Sequence, residues 1–231
     1  MLTILMGRAK TGKSEQVLRR IKELGDSKSH CSISRRFVLS CFLKNFQGGL
    51  PMHIPQGPTN ALDLELFDEA LAAALRPSAD YDVTRWLYVP NHYSEYRYIL
   101  GTRGRKPLIC MGINPSTAAP DALDPTLQSA QRIALSNGYD SFLMFNVYAQ
   151  RATRPDDMER SCNPVLHAEN RKAFRYLLSL SPAPALWAAW GNIIEKRGYL
   201  MDCLRDFAAD AQAAGAVWFT AGPLLKSGHP Q

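Results

Sequence analysis

Apolar residues recur along this chain as short continuous runs, separated by segments in which they are spaced three or four positions apart. The continuous runs predict buried strands at residues 108–111, 142–148, 186–190 and 217–220. The helical spacing predicts amphipathic helices at residues 125–137, 164–180 and 193–214. A run that is apolar on both faces is typical of a parallel strand covered by helices. The pattern therefore predicts an α/β three-layer sandwich with a mostly parallel central sheet.

Two further elements are predicted ahead of this alternation. Apolar positions from residue 62 onward have helical spacing, and Pro77 ends that helix. Residues 80–100 are rich in tyrosine and tryptophan, which predicts a half-buried hairpin packed on the core. Because arginines lie among these aromatic residues, a surface that stacks nucleic-acid bases is the alternative.

The first 25 residues carry a separate motif. A strand-like MLTILM is followed by G-x-x-x-x-G-K-S, in which Gly7, Gly12, Lys13 and Ser14 are the defining positions, and then by an amphipathic helix. In this context the loop cradles phosphates, with the lysine on the outer phosphates and the serine on Mg²⁺. No later strand ends in the aspartate that would hold the metal. Two interpretations stay open: an ATP and Mg²⁺ site, or a motif that holds no nucleotide.

Composition narrows the class of protein. The net charge is +6, but residues 1–50 hold 10 Lys and Arg against 3 Asp and Glu, so the remainder is close to neutral. A uniformly basic nucleic-acid binder would not show this asymmetry. The five cysteines include no CxxC pair, which argues against a zinc site or a disulfide framework. No apolar run is long enough to cross a membrane, and we expect a cytoplasmic protein.

These patterns divide the chain into three parts. Residues 1–25 form the strand-loop-helix segment with the phosphate-loop motif. Residues 26–60 are basic and then rich in glycine and proline, which predicts a linker or a poorly ordered connection. Residues 61–231 form the α/β domain.

Polar residues follow three of the predicted strands, at the edge where open α/β sheets bind ligands. The candidate binding residues are Ser116, Thr117, Asp124, Thr126, Asn146, Arg151, Trp190 and Asn192, with Asn114 as a candidate catalytic residue. Each also has a structural interpretation: turn formation by residues 114–117, helix capping by Asp124, carbonyl binding by Arg151 and core packing by Trp190. For the cluster as a whole we favour a binding site, because the three loops end on one sheet edge.

From about residue 96 to the end, the chain resembles a bacterial family known only as a domain of unknown function. The resemblance is carried by R-Y-x-L at 97–100, N-P-S-T-A at 114–118, D-P-T at 124–126, Asn146, R-A-T at 151–153, W-G at 190–191 and G-H-P at 228–230. That family usually continues with another His-Pro pair. The resemblance therefore implies a domain that is truncated at its carboxyl end.

Two other resemblances point to DNA metabolism. The strand followed by G-I-N-P at 112–115 resembles the first motif of the uracil and thymine DNA glycosylases, which implies a uracil-DNA-glycosylase-like fold. By that resemblance Asn114 positions the hydrolytic water, and His229 lies near a phosphate or the developing charge on the base. Asn146 is a candidate for reading a base edge, since its amide offers a donor and an acceptor. Residues 1–25 resemble the amino terminus of the bacterial nuclease-helicase B subunits.

The sequence therefore predicts a domain that recognises a nucleobase, a nucleotide or nucleic acid, as a glycosylase-like hydrolase in DNA repair if it is an enzyme. The two alternatives are a P-loop ATP-binding protein related to a repair nuclease-helicase, and a binding module without catalysis. No cofactor is expected, except ATP and Mg²⁺ under the P-loop alternative. No membrane partner is expected either.

Overall fold

A computed structural model describes Thr3–Ile4 and residues 52–230 of the protein. Its sheet has seven strands in the order β1-β7-β6-β4-β5-β3-β2. Their bounds are β1 Thr3–Ile4, β2 Trp86–Val89, β3 Ile99–Thr102, β4 Pro107–Gly112, β5 Ser141–Asn146, β6 Ala185–Ala188 and β7 Val217–Thr220. The predicted apolar runs are all strands, although two of them end earlier than predicted because the chain turns at Asn146 and after Ala188.

The centre of the sheet is parallel and its flanks are antiparallel. β4 lies between β5 and β6, and β6 pairs with β7, all in the same direction. The β2-β3 hairpin predicted from the aromatic stretch joins antiparallel beyond β5. At the other edge β1 runs antiparallel to β7. The α/β class with a mixed, mostly parallel sheet is therefore confirmed.

Helices cover both faces of the sheet. They are α1 Phe67–Ala74, α2 Pro125–Ser136, α3 Pro164–Ser179 and α4 Gly198–Ala213. Because successive strand residues point to opposite faces, the strands contribute to two separate cores. One core packs against α2, and the larger one packs against α1, α3 and α4.

Two helices differ from the sequence prediction. The first begins only at Phe67, because Thr59–Ala61 forms a separate 3₁₀ turn and the amide of Phe67 is capped by Glu169 of α3, at 2.7 Å. The last begins only at Gly198 and not at residue 193, because Gly191–Lys196 forms a separate 3₁₀ helix. In both cases the helix start depends on packing rather than on spacing.

Part of the predicted linker is packed against the domain. Glu159 accepts hydrogen bonds from the amide and the hydroxyl of Thr59, at 2.8 and 2.7 Å, and Thr59 is fully buried. The phosphate-loop positions Gly7, Gly12, Lys13 and Ser14 lie outside the described residues.

Candidate functional site

Asn114 lies in the loop that follows β4, where the apolar strand gives way to polar residues. Its Nδ2 donates to the backbone oxygen of Ala152 at 2.6 Å and to that of Pro115 at 3.1 Å. Its Oδ1 has no hydrogen-bond partner within residues 52–230, and the residue is only half-buried. An amide held at its nitrogen presents its oxygen in a fixed direction, as an acceptor for water or ligand.

The loop after β5 lies alongside the loop after β4. The amide of Val147 donates to the oxygen of Gly112, and the amide of Ala152 donates to that of Pro115, each at 2.9 Å. These bonds continue the pairing of the two parallel strands beyond their carboxyl ends. The two polar loops therefore meet at one edge of the sheet, as the strand order requires.

Hydroxyl groups connect the same two loops. The Oγ of Ser116 lies 3.1 Å from the Oγ1 of Thr153, which also accepts a bond from the amide of His53 at 2.7 Å. Thr117 is half-buried in the same loop. Thr153 thus joins the loop after β4 to a segment a hundred residues earlier in the chain.

Arg151 holds the loop after β4 from beneath. Its Nη1 donates to the backbone oxygens of Ser116 and Ala118, and its Nη2 donates to the Tyr88 hydroxyl at 3.1 Å. The side chain is 0% exposed. In this structure Arg151 binds backbone carbonyls, the structural role that the sequence also allowed, and a contact between Arg151 and a ligand stays a prediction.

A second buried arginine binds the same loop. Arg97, in the R-Y-x-L motif, donates from Nη1 to the oxygen of Ala118 at 2.9 Å. Burial, and then the like charge of Arg151, lower the pKa of Arg97 to about 9. Burial also lowers the pKa of Arg151. Within the described chain neither guanidinium forms an ion pair with a carboxylate, so backbone carbonyls are their main compensation.

Asn146 ends β5 directly beside Gly112, the last residue of β4. It is 1% exposed, and neither atom of its amide has a hydrogen-bond partner in the described part of the chain. A Cβ on Gly112 would lie 3.1 Å from its Oδ1, so the glycine leaves space next to the amide. An unpaired buried amide costs about 1–3 kcal/mol, and such groups call for an explanation, such as a bound water or ligand.

Asp124 begins α2, as predicted. Its Oδ1 accepts from the amide of Leu127 at 2.9 Å, and Pro125 occupies the first helical position. Thr126 lies exposed in the first turn. The D-P-T motif therefore starts the helix that leads away from the candidate site.

Removing this cap should cost about 1 kcal/mol, because one amide at the start of α2 loses its acceptor. We expect Asp124→Ala to lower the free energy of unfolding in urea by that amount. Arg132→Ala, an exposed substitution in the same helix, should change it by less than about 0.5 kcal/mol. Equal effects of the two substitutions would contradict a capping role.

The loop after β6 meets the carboxyl-terminal segment. Trp190 packs edge-on against Trp218, with ring centroids 5.7 Å apart, and is buried in the larger core. The amide of Gly191 donates to the oxygen of Pro230 at 3.1 Å. The W-G and G-H-P motifs are therefore neighbours.

His229 and Asn192 also belong to this neighbourhood. The Nε2 of His229 lies 2.8 Å from the Oε1 of Glu195, and the Ser227 hydroxyl donates to the Oδ1 of Asn192. Among the described residues, no hydrogen bond links these side chains to Asn114 or Asn146. The structure thus gives two groups on one sheet edge: the loops after β4 and β5, and the W-G loop with the G-H-P turn.

A hydrogen-bonded group that the sequence did not indicate lies beside the loops after β4 and β5. His53 is 8% exposed and lies between the Tyr93 hydroxyl and the Glu95 carboxylate. All three line a cavity of about 540 Å³. The spacing of Tyr93 and Glu95, two apart in an extended loop, puts them on one side, but nothing in the sequence connects them to His53.

The described part of the chain contains neither a metal-binding cluster nor a membrane-spanning helix. Within residues 52–230 and the short strand β1, no cluster of His, Cys, Asp or Glu could hold a metal ion. No helix in that same part of the chain is long and apolar enough to cross a membrane.

Comparison with known families matches residues 97–231 to the family described as a protein of unknown function, DUF1643. This is more than half of the chain. The chain belongs to the DUF1643 family. The prediction of an uncharacterised domain family is confirmed, while nothing here adds a link to DNA glycosylases or to nuclease-helicase subunits. No curated protein and no solved structure matches the chain.

The DUF1643 region holds both buried arginines and all the polar loops at the carboxyl ends of the parallel strands. His53, Tyr93 and Glu95 precede it.

Proposed function

We propose that this DUF1643 domain recognises a nucleobase or nucleotide at the carboxyl ends of β4 and β5, and hydrolyses an N-glycosidic bond there. The observation that carries the proposal is the Asn146 amide beside Gly112, which is buried and has no hydrogen-bond partner among residues 52–230. A carboxamide pairs well with a base edge, because both present a donor next to an acceptor. An apolar ligand would leave both atoms of the amide unsatisfied.

Asn114 is the residue we assign to the water. Its nitrogen is fixed by two carbonyls, and its Oδ1 accepts no hydrogen bond from the described part of the chain. The water oxygen would bond to the anomeric carbon as the carbon–nitrogen bond breaks, and the base would leave with the proton of the water. A glycosylase-like fold is part of the proposal, and the G-I-N-P resemblance supports it.

The test is base release by the full-length protein from oligonucleotides that contain uracil, hypoxanthine or a mismatch. We expect Asn114→Ala to lower the rate about 100-fold, as for loss of a positioned catalytic group. Asn60→Ala, an exposed asparagine, is the matched control and should leave the rate unchanged. If no base is released, or if Asn114→Ala releases it as fast as the parent, the hydrolytic part of the proposal is wrong.

Binding of free bases and nucleosides, measured by calorimetry, tests recognition separately. Asn146→Ala should weaken binding by about tenfold or more, since a buried hydrogen-bonding pair is worth about 1–3 kcal/mol. Binding that depends on Asn146 without base release would identify a non-catalytic binding module.

The P-loop alternative remains a separate prediction that concerns residues outside the described range. Because β1 runs antiparallel to β7, it points away from the edge that carries Asn114 and Asn146. If Lys13→Ala abolishes ATP binding while Asn146→Ala leaves it unchanged, the P-loop alternative is supported. ATP then binds at a site other than that of Asn146.

A further inference from the structure

A histidine between a phenol and a carboxylate lines a cavity of about 540 Å³ near the polar loops. The Nδ1 of His53 is 3.0 Å from the Tyr93 hydroxyl, and its Nε2 is 3.3 Å from the Oε2 of Glu95. The backbone of His53 is fixed by two bonds to Thr153, of 2.7 and 2.9 Å. The backbone that carries the imidazole is therefore anchored to a strand-end loop.

The partners of the imidazole determine the direction of its hydrogen bonds. A carboxylate can only accept, so the Nε2 of His53 carries the proton that goes to Glu95. Its Nδ1 is then the acceptor, and the Tyr93 hydroxyl donates to it. This is the arrangement of an activated nucleophile: a hydroxyl, a base that takes its proton, and a carboxylate that orients the base.

The buried guanidinium of Arg151 lies against the phenol ring of Tyr93. The Cζ of Arg151 lies 4.2 Å from the centre of the Tyr93 ring. The guanidinium has no carboxylate partner among the described residues, so its charge is compensated by backbone carbonyls and by the neighbouring rings. This cation–π contact fixes the position of the Tyr93 ring against the buried arginine.

The hydroxyl is also accessible. Tyr93 is 50% exposed and lines the cavity of about 540 Å³ together with His53, Glu95, Asp63 and His92. That volume suits a small molecule. The two carboxylates in the lining disfavour phosphates and other anions, and favour a neutral or cationic molecule with O–H or N–H groups.

We propose that Tyr93, activated by His53 and Glu95, is the proton-transferring residue of a second catalytic pocket, which takes small neutral or cationic molecules. In its reaction Tyr93 gives its proton to the Nδ1 of His53 and takes a proton from a substrate O–H or N–H group. The site uses neither Asn114 nor Asn146, and it does not depend on the proposed nucleobase function.

An aryl sulfonyl fluoride tests the activation of Tyr93 without knowledge of the substrate. The phenol oxygen bonds to sulfur, fluoride leaves, and the phenol proton passes to His53. We expect the full-length protein at neutral pH to be modified first at Tyr93, at least about tenfold faster than at Tyr139 or Tyr199, as found by peptide mass spectrometry. Tyr93→Phe should remove this fast modification.

Substitution of His53 and of Glu95 tests whether these two residues activate Tyr93. His53→Gln and Glu95→Gln should each slow the modification of Tyr93 about tenfold, with the melting temperature as the check on folding. Glu95→Gln keeps the shape of the side chain, so it decides the outcome if His53→Gln does not fold. His167→Gln is the matched control: it removes a histidine paired with Asp206 that has no phenol partner, and should change nothing at Tyr93. The proposal is overturned if Tyr93 reacts no faster than the other tyrosines. It is also overturned if Tyr93 reacts as fast in Glu95→Gln as in the parent protein.

Discussion

Gly101→Ala is expected to destabilise the protein severely. Gly101 lies in β3 between Leu87 of β2 and Leu143 of β5. A Cβ there would lie 2.1 Å from the backbone oxygen of Phe142 and 2.7 Å from the Cα of Leu143. Both atoms belong to the backbone of a central strand, so neither can move without breaking the pairing of the sheet.

The expected cost is about 4 kcal/mol or more, at the upper end of what single substitutions do, because the clash cannot be relieved by a side-chain rotation. Domains have only about 5–15 kcal/mol of stability in total. Loss of the β3-β5 pairing would also free the β2-β3 hairpin, and with it the loop that carries Tyr93 and Arg97. Circular dichroism and urea unfolding measure the effect.

Gly198→Ala provides the control. Gly198 is the first residue of α4, and a Cβ there meets nothing within 4 Å. Alanine at such a position is neutral or stabilises by about 0.4–1 kcal/mol, because it restricts the unfolded chain. A Gly101→Ala protein as stable as Gly198→Ala would mean that β3 does not lie this close to β5.

Arg151→Ala is expected to lower the free energy of unfolding by about 3 kcal/mol. The substitution leaves the oxygens of Ser116 and Ala118 with fewer donors and opens a cavity under the loop that carries Asn114. A buried acceptor without a partner costs about 1–3 kcal/mol, and truncation of a large buried side chain adds a cavity term. Relief of the repulsion between the two buried arginines acts in the opposite direction.

Arg151→Met separates these effects, since methionine fills much of the volume but carries neither charge nor donors. If the hydrogen bonds to the carbonyls dominate, both variants are less stable than the parent. Amide exchange in residues 114–118 is then faster in both of them than in the control Arg154→Ala, which removes an exposed arginine. If the cost of burying the charge dominates, the Arg151→Met protein is as stable as the parent or more stable. Replacement of a buried ion pair by apolar residues of similar volume can stabilise a protein in the same way. That result would contradict the structural role assigned to Arg151.

The elements of the fold could be read from the sequence because their signals are local. The apolar run at residues 108–111 and the Asp124-Pro125 start of α2 involve residues a few positions apart, and both are present in the structure. Alternation of strands and helices further limited the sheet to a mostly parallel one, with polar loops at one edge. Asn114 and Asn146 were found in this way, as the first polar residues after apolar strands.

Contacts between distant residues could not be read in this way. The sequence allowed either a ligand or backbone carbonyls as partners of Arg151, and only the structure shows which carbonyls it binds, in a loop 33 to 35 positions earlier. The start of α1 depends on Glu169, which is 102 positions away from Phe67. A single sequence does not state which distant groups will meet, because that depends on strand order and register.

The sequence by itself determined the α/β class, the order of the main elements and the polar residues that end the central strands, since hydrophobic periodicity and helix caps act within a few residues. Tertiary structure alone decided which of those residues are buried, which carbonyls the two arginines bind, and that His53 lies between Tyr93 and Glu95. The physical reason is that burial and hydrogen bonding between distant segments exist only once the sheet has assembled, when loops some forty to a hundred residues apart share one edge.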